Sequence, residues 1–164
     1  MADWERSGDA GNMEAQASRL YWPTYLGDLN FRRRREGSAP NNLLNYGYMV
    51  LRAATARVLA GAGLLTSVGI HHRNKYNAFC LADDVLEPFR GLVELKVREI
   101  WEEEGPEGCE ELKQPIKARL LEILYEQAVI GGQKGPLMVG LHRTAWSVYK
   151  CLAGEERKLT LLEV

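Results

Sequence analysis

No apolar run in this chain approaches the length of about 20 residues that a bilayer-spanning helix needs. The first residues, MADWERSGDAGNMEAQ, lack the hydrophobic centre of a signal peptide. Membrane insertion and secretion are therefore not expected. Cysteine is scarce: Cys80, Cys109 and Cys151 are odd in number and form no C-x-x-C pair. That argues against a disulfide framework or a zinc ribbon and suits a reducing, cytoplasmic location. A charge excess is also lacking, because the net charge is −1 and the pI about 6.3. No global field draws the chain to nucleic acid or to an anionic membrane, so any DNA contact must come from a local patch. Little of the sequence alternates at period two, and it has no internal repeat or low-complexity tract. What remains, 46% hydrophobic and 26% charged residues, is the composition of a folded domain. A chain of this size buries roughly two-thirds of its unfolded surface.

Helices separated by Gly and Pro account for most of the chain, and residues 1–164 read as one helical domain. From about Gly11, Met13, Ala17, Leu20 and Tyr21 recur at helical spacing, and Pro23 bounds or kinks that helix. FRRRREGSAPN is a loop by composition. NNLLNYGYMVLRAATARVLAGAG reads as a long helix with Asn41 or Asn42 as N-cap and Gly61 or Gly63 as its stop. It is apolar nearly all round and should be central. LLTSVGIHHRNKYNAFC is an irregular connection. Further helices are expected from about Asp83 to Trp101, near 110–129 and near 136–153, the last with Leu137, Leu141, Ala145, Val148 and Leu152 on one face. The apolar positions place Leu43, Leu51, Val58, Leu86, Phe89, Leu120, Leu124, Leu141 and Trp146 in an all-α core.

The stretch GIHHRNKYNAFCLADDVLEPFR concentrates the chemistry. Asp84 and Glu87 are three apart and Asp83 and Glu87 four apart, so on a helix either aspartate shares a face with the glutamate. Of His71 and His72, adjacent in an extended segment, only one can turn to that face. Two carboxylates with one imidazole suit Mg²⁺ or Mn²⁺. The same acids also suit the first turn of any helix, where free N–H groups favour them. Both readings stand on these residues alone. The run Arg32 to Arg35 is open in the same way, either a solvated loop or a phosphate contact. Cys80 reads as a small buried residue, His142 as a surface or packing histidine, and Tyr21, Trp22, Tyr25, Tyr46 and Tyr48 as core aromatics. A zinc site of His71, His72 and Cys80 has poor spacing and lacks a fourth ligand.

Four segments in order, SGDAGNMEAQASRLYWPTYLG, NNLLNYGYMVLRAATARVLAGAGL, GIHHRNKYNAFCLADDVLEPFRGLVE and GPLMVGLHRTAWSVYKCLAGE, closely resemble the helical catalytic domain of CRISPR-associated protein 1. This family is the integrase of spacer acquisition, and the likeness is greatest to members from single-effector systems. The resemblance implies a metal held by Glu14 of N-M-E-A, by His72, which stands fifteen residues before Glu87, and by Glu87 itself. Asp84 becomes an auxiliary carboxylate one turn before Glu87. Asn45 and Tyr46 match positions that line the site, Arg90 closes the last motif, and Arg32, Arg33, Arg34 and Arg35 become phosphate contacts.

The activity implied by this resemblance is that of a Mg²⁺- or Mn²⁺-dependent integrase and endonuclease. Its substrates are a short captured DNA duplex and the CRISPR repeat, and its implied partners are further copies of itself and CRISPR-associated protein 2. Full-length relatives place a β-rich domain ahead of the helical one, whereas here the first expected ligand is already residue 14. A naturally compact protein and a fragment both accommodate this. In the compact case Trp4, Tyr25, Leu26 and the 136–153 helix are candidates for self-association. A helical DNA-binding or scaffold module that keeps the site without the assembly for turnover is the second functional reading.

Overall fold

The computed structural model describes residues 13–25, 31–34 and 36–163, and it divides between Gly37 and Ser38 into two compact units. The smaller unit contains helix α1 (Met13–Tyr25), which carries Pro23 in its last turn. There Trp22 is buried edge-on against Tyr25 and Phe31, with Tyr21 at its rim. Trp4 and Leu26 lie outside the described residues.

The larger unit is built around α2 (Asn41–Gly61), which packs against α3 (Cys80–Leu86), α4 (Arg90–Cys109), α5 (Gln114–Glu122) and α6 (Leu137–Leu152). Its residues Leu43, Leu44, Leu51, Val58 and Leu59 are almost wholly removed from solvent. Gly47 is needed for this packing, because a Cβ there would stand 2.5 Å from Val93 Cγ1 of α4. The helix stops where Gly63 takes a positive φ of 79° and the Leu64 N–H reaches back to the Leu59 carbonyl. Neither asparagine caps its start. Pro40 occupies that position, and Asn42 turns its amide to the Cys109 and Glu110 carbonyls at the far end of α4.

Two of the expected helices are interrupted. The span from Asp83 to Trp101 is split by a 3-10 turn at Glu87–Phe89, where Pro88 has no N–H to continue the ladder. The expected helix 110–129 ends at Glu122. A 3-10 turn over Ile123–Tyr125 follows, and then a hairpin of β1 (Gln127–Ile130) and β2 (Gln133–Pro136). Gly131 and Gly132 both have positive φ, 60° and 71°, as a two-residue hairpin turn requires. Leu162 bridges to Ile130 on the other edge of β1, and the hydroxyls of Thr144 and Ser147 tie the tail at Thr160 to α6. The fold is thus mainly α, with this one small sheet among the described residues. No described helix is long and apolar enough to cross a membrane.

Seven of the nine expected core positions are buried, Phe89 completely. Leu124 is only half-buried. Trp146 is 52% exposed and stacks on Tyr149, with ring centroids 5.0 Å apart, on the outer side of α6. The inward stripe of that helix is already filled by Leu137, Leu141, Ala145 and Val148, which leaves no room for an indole.

The hairpin is seated on α6 at Gly140, where a Cβ would collide with the buried Ile130 Cδ1. Gly140→Val should therefore destabilise the fold by about 1–3 kcal/mol through overpacking. The helix propensity gained is only about 0.5 kcal/mol. A urea midpoint at or above that of the parent would contradict this packing.

Candidate active site

Asp83 and Asp84 follow one another on α3 yet do different work. Helical geometry points them about 100° apart. Asp83 turns to α2, where both its oxygens engage Arg52, Nε at 2.6 Å and Nη2 at 2.7 Å. Asn77 completes the cluster, donating its amide to Asp83 at 2.7 Å and accepting from Arg52 at 2.8 Å. Arg52 also lies over the Phe79 ring, 4.7 Å from its centroid.

Asp84 turns instead into the connection between α2 and α3. Its Oδ2 accepts the backbone N–H groups of Ile70 at 2.5 Å and His71 at 3.0 Å. Its Oδ1 accepts the His72 N–H at 3.1 Å and lies 2.6 Å from His72 Nδ1. These four contacts use the four acceptor positions of a carboxylate, leaving none for a cation. Burial works against the charge of Asp84, but the N–H groups of His71, His72 and Ile70 and the His72 ring outweigh it. They hold the carboxyl below its ordinary pKa. An ionised carboxylate can only accept, so Nδ1 carries the proton, and a neutral ring held in this way has its Nε2 lone pair free. The loop closes this tightly because residue 69 is glycine: a Cβ would overlap the His72 carbonyl and stand 2.9 Å from Asp84 Oδ2.

His71 is exposed, meets His72 edge-on at 5.7 Å, and makes no side-chain hydrogen bond among the described residues. Glu87 opens the 3-10 turn after α3, and both its oxygens face Arg90 Nη1, at 3.1 and 3.2 Å. Arg90 stacks on Tyr48, 4.5 Å from the ring centroid, and the Tyr48 hydroxyl donates to the buried Glu94 at 2.6 Å. Burial opposes the Arg90 charge, but Glu87 and Tyr48 raise its pKa above the usual arginine value. Burial, then the charge of Glu94 and the bond to it, push the Tyr48 phenol well above its ordinary range.

Glu14 lies on α1, and its side chain falls outside the described ones. Among the described residues no three His, Cys, Asp or Glu side chains assemble into a metal cage, the zinc grouping of His71, His72 and Cys80 included. Of the expected site residues, then, the structure joins His72 to Asp84 and Glu87 to Arg90. Asn45 is half-buried. Tyr46 lines an open, largely apolar cavity of about 460 Å³ with Met49, Arg57, Leu121 and Tyr125. In the smaller unit Arg32 and Arg34 are exposed, Arg33 sits 6.0 Å from the Trp22 ring centroid, and Arg35 lies outside the described residues. Sequence reading passed over Arg52, Asn77 and Glu94, and took Tyr48 for a core aromatic alone. Arg52 had a signal, since it is one of only two charges on an otherwise uncharged helix.

The Asp84 bonds set a pH dependence. A depressed carboxyl pKa adds stability above the unfolded value of about 3.9 and loses it as pH falls through the folded value. The amides of Ile70, His71 and His72 should therefore stay protected from hydrogen exchange near neutrality and lose protection below about pH 4. In Asp84→Asn they should be weakly protected at every pH. Equal protection in the variant would dismiss the carboxylate as the tie.

Comparison with known proteins places these residues in a family. The model of the CRISPR associated protein Cas1 family matches residues 7–104. The chain is 43% identical over 133 residues to a CRISPR-associated endonuclease Cas1 of Neisseria meningitidis serogroup C (strain 8013), covering 81% of this chain and 42% of that protein. It is 34% identical over 142 residues to CRISPR-associated endonuclease Cas1 2 of Pyrobaculum aerophilum, covering 85% of this chain and 47% of that one. The chain thus spans less than half the length of these relatives. Two solved structures share its fold at 22% identity. One is a casposase bound to integration product, with a TM-score of 0.72 over 96% of this chain and 51% of that one. The other is a Cas6-RT-Cas1–Cas2 complex, with a TM-score of 0.70 over 94% of this chain and 19% of that one. With a family model spanning more than half of its residues, this chain belongs to the CRISPR-associated protein Cas1 family.

Proposed function

We propose that the chain carries the catalytic part of a DNA integrase and endonuclease of CRISPR adaptation, with Glu14, His72 and Glu87 as ligands of a Mg²⁺ or Mn²⁺ ion. The observation that carries this reading is the Asp84–His72 pair, in which a saturated carboxylate holds Nδ1 and leaves Nε2 free. Metal-binding histidines are oriented in this way. Two carboxylates and one imidazole form a donor set that suits a hard or borderline cation. When bound, such an ion lowers the pKa of the attacking hydroxyl and offsets charge on the phosphoryl oxygens.

The side chains of this protein hold the geometry. Asp84 keeps His72 in one tautomer and one orientation. Arg90, braced by Tyr48, holds Glu87 and places a permanent positive charge beside it. In the reaction the 3′-oxygen of a captured DNA forms a bond to a repeat phosphorus while the existing P–O bond breaks. The departing 3′-oxygen takes up the proton that the attacking hydroxyl lost. One phosphodiester replaces another, so the reverse reaction uses the same site. Arg32 to Arg35 bind phosphates without reading sequence, and Asn45 and Tyr46 line the DNA path. Joining two ends calls for at least two copies of the site, so self-association belongs to this reading, with CRISPR-associated protein 2 as a further partner. The names of the relatives, endonucleases and an integration complex, support it. The second reading is a DNA-binding scaffold that keeps the site without turnover.

Strand transfer on branched DNA separates the two. With Mn²⁺ the parent chain should join ends, His72→Ala should abolish joining, and His71→Ala should largely preserve it. Asp84→Asn should lose about 10- to 100-fold through misoriented His72. No metal-dependent joining by the parent would leave the scaffold, and reversed effects of the two histidines would shift the register by one residue.

Changing Arg32, Arg33, Arg34 and Arg35 together to Gln should weaken binding to all sequences about equally and flatten its salt dependence, since each lost phosphate contact lowers the slope by roughly one. Unchanged affinity across a salt series would return the run to a solvated loop.

A further inference from the structure

We propose that Arg90 is an internal counter-ion that competes with a divalent cation for Glu87, and that Tyr48 and Glu94 are positioning residues that give the guanidinium a second place to rest. Glu87 then becomes a ligand only as Arg90 withdraws towards Tyr48. This rests on the reading that Glu87 holds a metal, and adds what sets the affinity of that site.

Two ion pairs near one another differ in form. Asp83 meets Arg52 fork to fork, with Nε at 2.6 Å and Nη2 at 2.7 Å each on its own oxygen. That bidentate arrangement fixes both partners. Arg90 instead sets the single nitrogen Nη1 against both oxygens of Glu87, at 3.1 and 3.2 Å. A position nearly equidistant from the two oxygens is also the one that a cation chelated by them takes, so guanidinium and metal compete for one place. The contact is loose as well: its members are three residues apart and the Glu87 side chain is 49% exposed, and surface pairs of this kind open easily. His72 and Glu87 are thus held in opposite ways. Asp84 points the imidazole for a metal, whereas Arg90 covers the carboxylate against one.

What retains Arg90 lies on its other side. The guanidinium stacks 4.5 Å from the Tyr48 ring centroid, a contact that survives when its nitrogens change partner. The Tyr48 hydroxyl donates to Glu94 at 2.6 Å, and Glu94 is only 8% exposed. Beyond burial, which raises it most, the Tyr48 pKa is raised by Glu94 and lowered by Arg90, so both charges lie beside one hydroxyl. Arg90 is therefore shared between two carboxylates, Glu87 at the surface and Glu94 beneath it. Neutralising Arg90 leaves Glu87 open to a dication. Neutralising Glu94 removes the inner anion and settles Arg90 more firmly on Glu87. The two changes act on a metal in opposite senses. A simple brace predicts otherwise, since loss of Arg90 would then only let Glu87 swing and weaken its hold on an ion.

The test is a titration of the whole chain with Mn²⁺ alone, without DNA, followed by the electron paramagnetic resonance signal of the free aqua ion. Arg90→Gln should bind roughly 5- to 50-fold more tightly than the parent, because the dication no longer meets a like charge at Glu87. Arg90→Lys, which keeps the charge, should bind no more tightly than the parent. Glu94→Gln, whose amide oxygen still accepts from Tyr48, should bind more weakly, and that loss should vanish when it is combined with Arg90→Gln, since it acts through the guanidinium. Thermal melts confirm that each variant is folded, and Glu94→Gln decides alone if Arg90→Gln is not. Unchanged or weaker binding in Arg90→Gln, with weaker binding in Glu87→Gln, overturns the counter-ion and leaves Glu87 a ligand. Binding that Glu87→Gln does not alter, or none by the parent and Arg90→Gln alike, overturns the ligand reading and the counter-ion with it. Tighter binding in Arg90→Gln without Mn²⁺-dependent joining by the parent would keep the counter-ion and remove the integrase reading.

Discussion

Helix α2 has two charged side chains in 21 residues, Arg52 and Arg57, and the larger unit is arranged around burying its apolar side chains Leu43, Leu44, Leu51, Val58 and Leu59. Four helices cover it, and the two arginines take different routes to water. Arg57 reaches solvent directly, whereas Arg52 lies half-buried where α3 crosses and has to be matched there. Asp83 and Asn77 supply that match. An ion pair this exposed stabilises by about 0–1 kcal/mol, so its consequence is geometric rather than energetic. With Asp83 committed to α2, the next residue on the helix is rotated towards the loop, and Asp84 gathers three backbone N–H groups and the His72 ring. The orientation of the candidate ligand thus depends on the burial of the apolar helix that precedes its loop.

Two charge systems flank this arrangement. On α4 and α5, Arg119 meets Glu99, Glu103 and Glu104, and Lys96 meets Glu99 and Glu126, so the acidic stretch near Glu102 is largely internally compensated. From Gly37 to Ala82 the sequence holds no aspartate or glutamate, and the exposed loop before Asp83 has no such compensation. A chain with almost no net charge therefore carries a local cationic surface, which a composition average conceals. Such a surface attracts phosphate through counterion release, and the effect falls as salt rises.

Tyr48, Arg90 and Glu94 form the second brace of the site. Tyr48 and α4 meet because Gly47 lets the two helices approach closely, and the phenol then bridges Arg90 and the buried Glu94. This chain of contacts ends at Glu87 as the Arg52 chain ends at His72. Both candidate ligands in the larger unit are thus positioned through polar side chains from the central helix, although no residue of that helix belongs to the expected ligand set.

Sequence alone determined the helical character, the central place of α2, the seven buried core positions and the order of motifs that marks the family, because each of these is written in local periodicity or residue order. The hairpin was legible in principle from the paired glycines at 131 and 132, but the apolar residues before it also fit a helical period, and only contact with α6 decides between the two. The outward turn of Trp146 was not legible either: a helix offers one inward stripe, and which residues win it depends on what already fills the space. The choice between Asp83 and Asp84 belonged to the tertiary structure for the same reason. Both share a helical face with Glu87 in sequence terms, and only the position of Arg52 across the interface and of the 70–72 backbone beside it gives each carboxylate its partner.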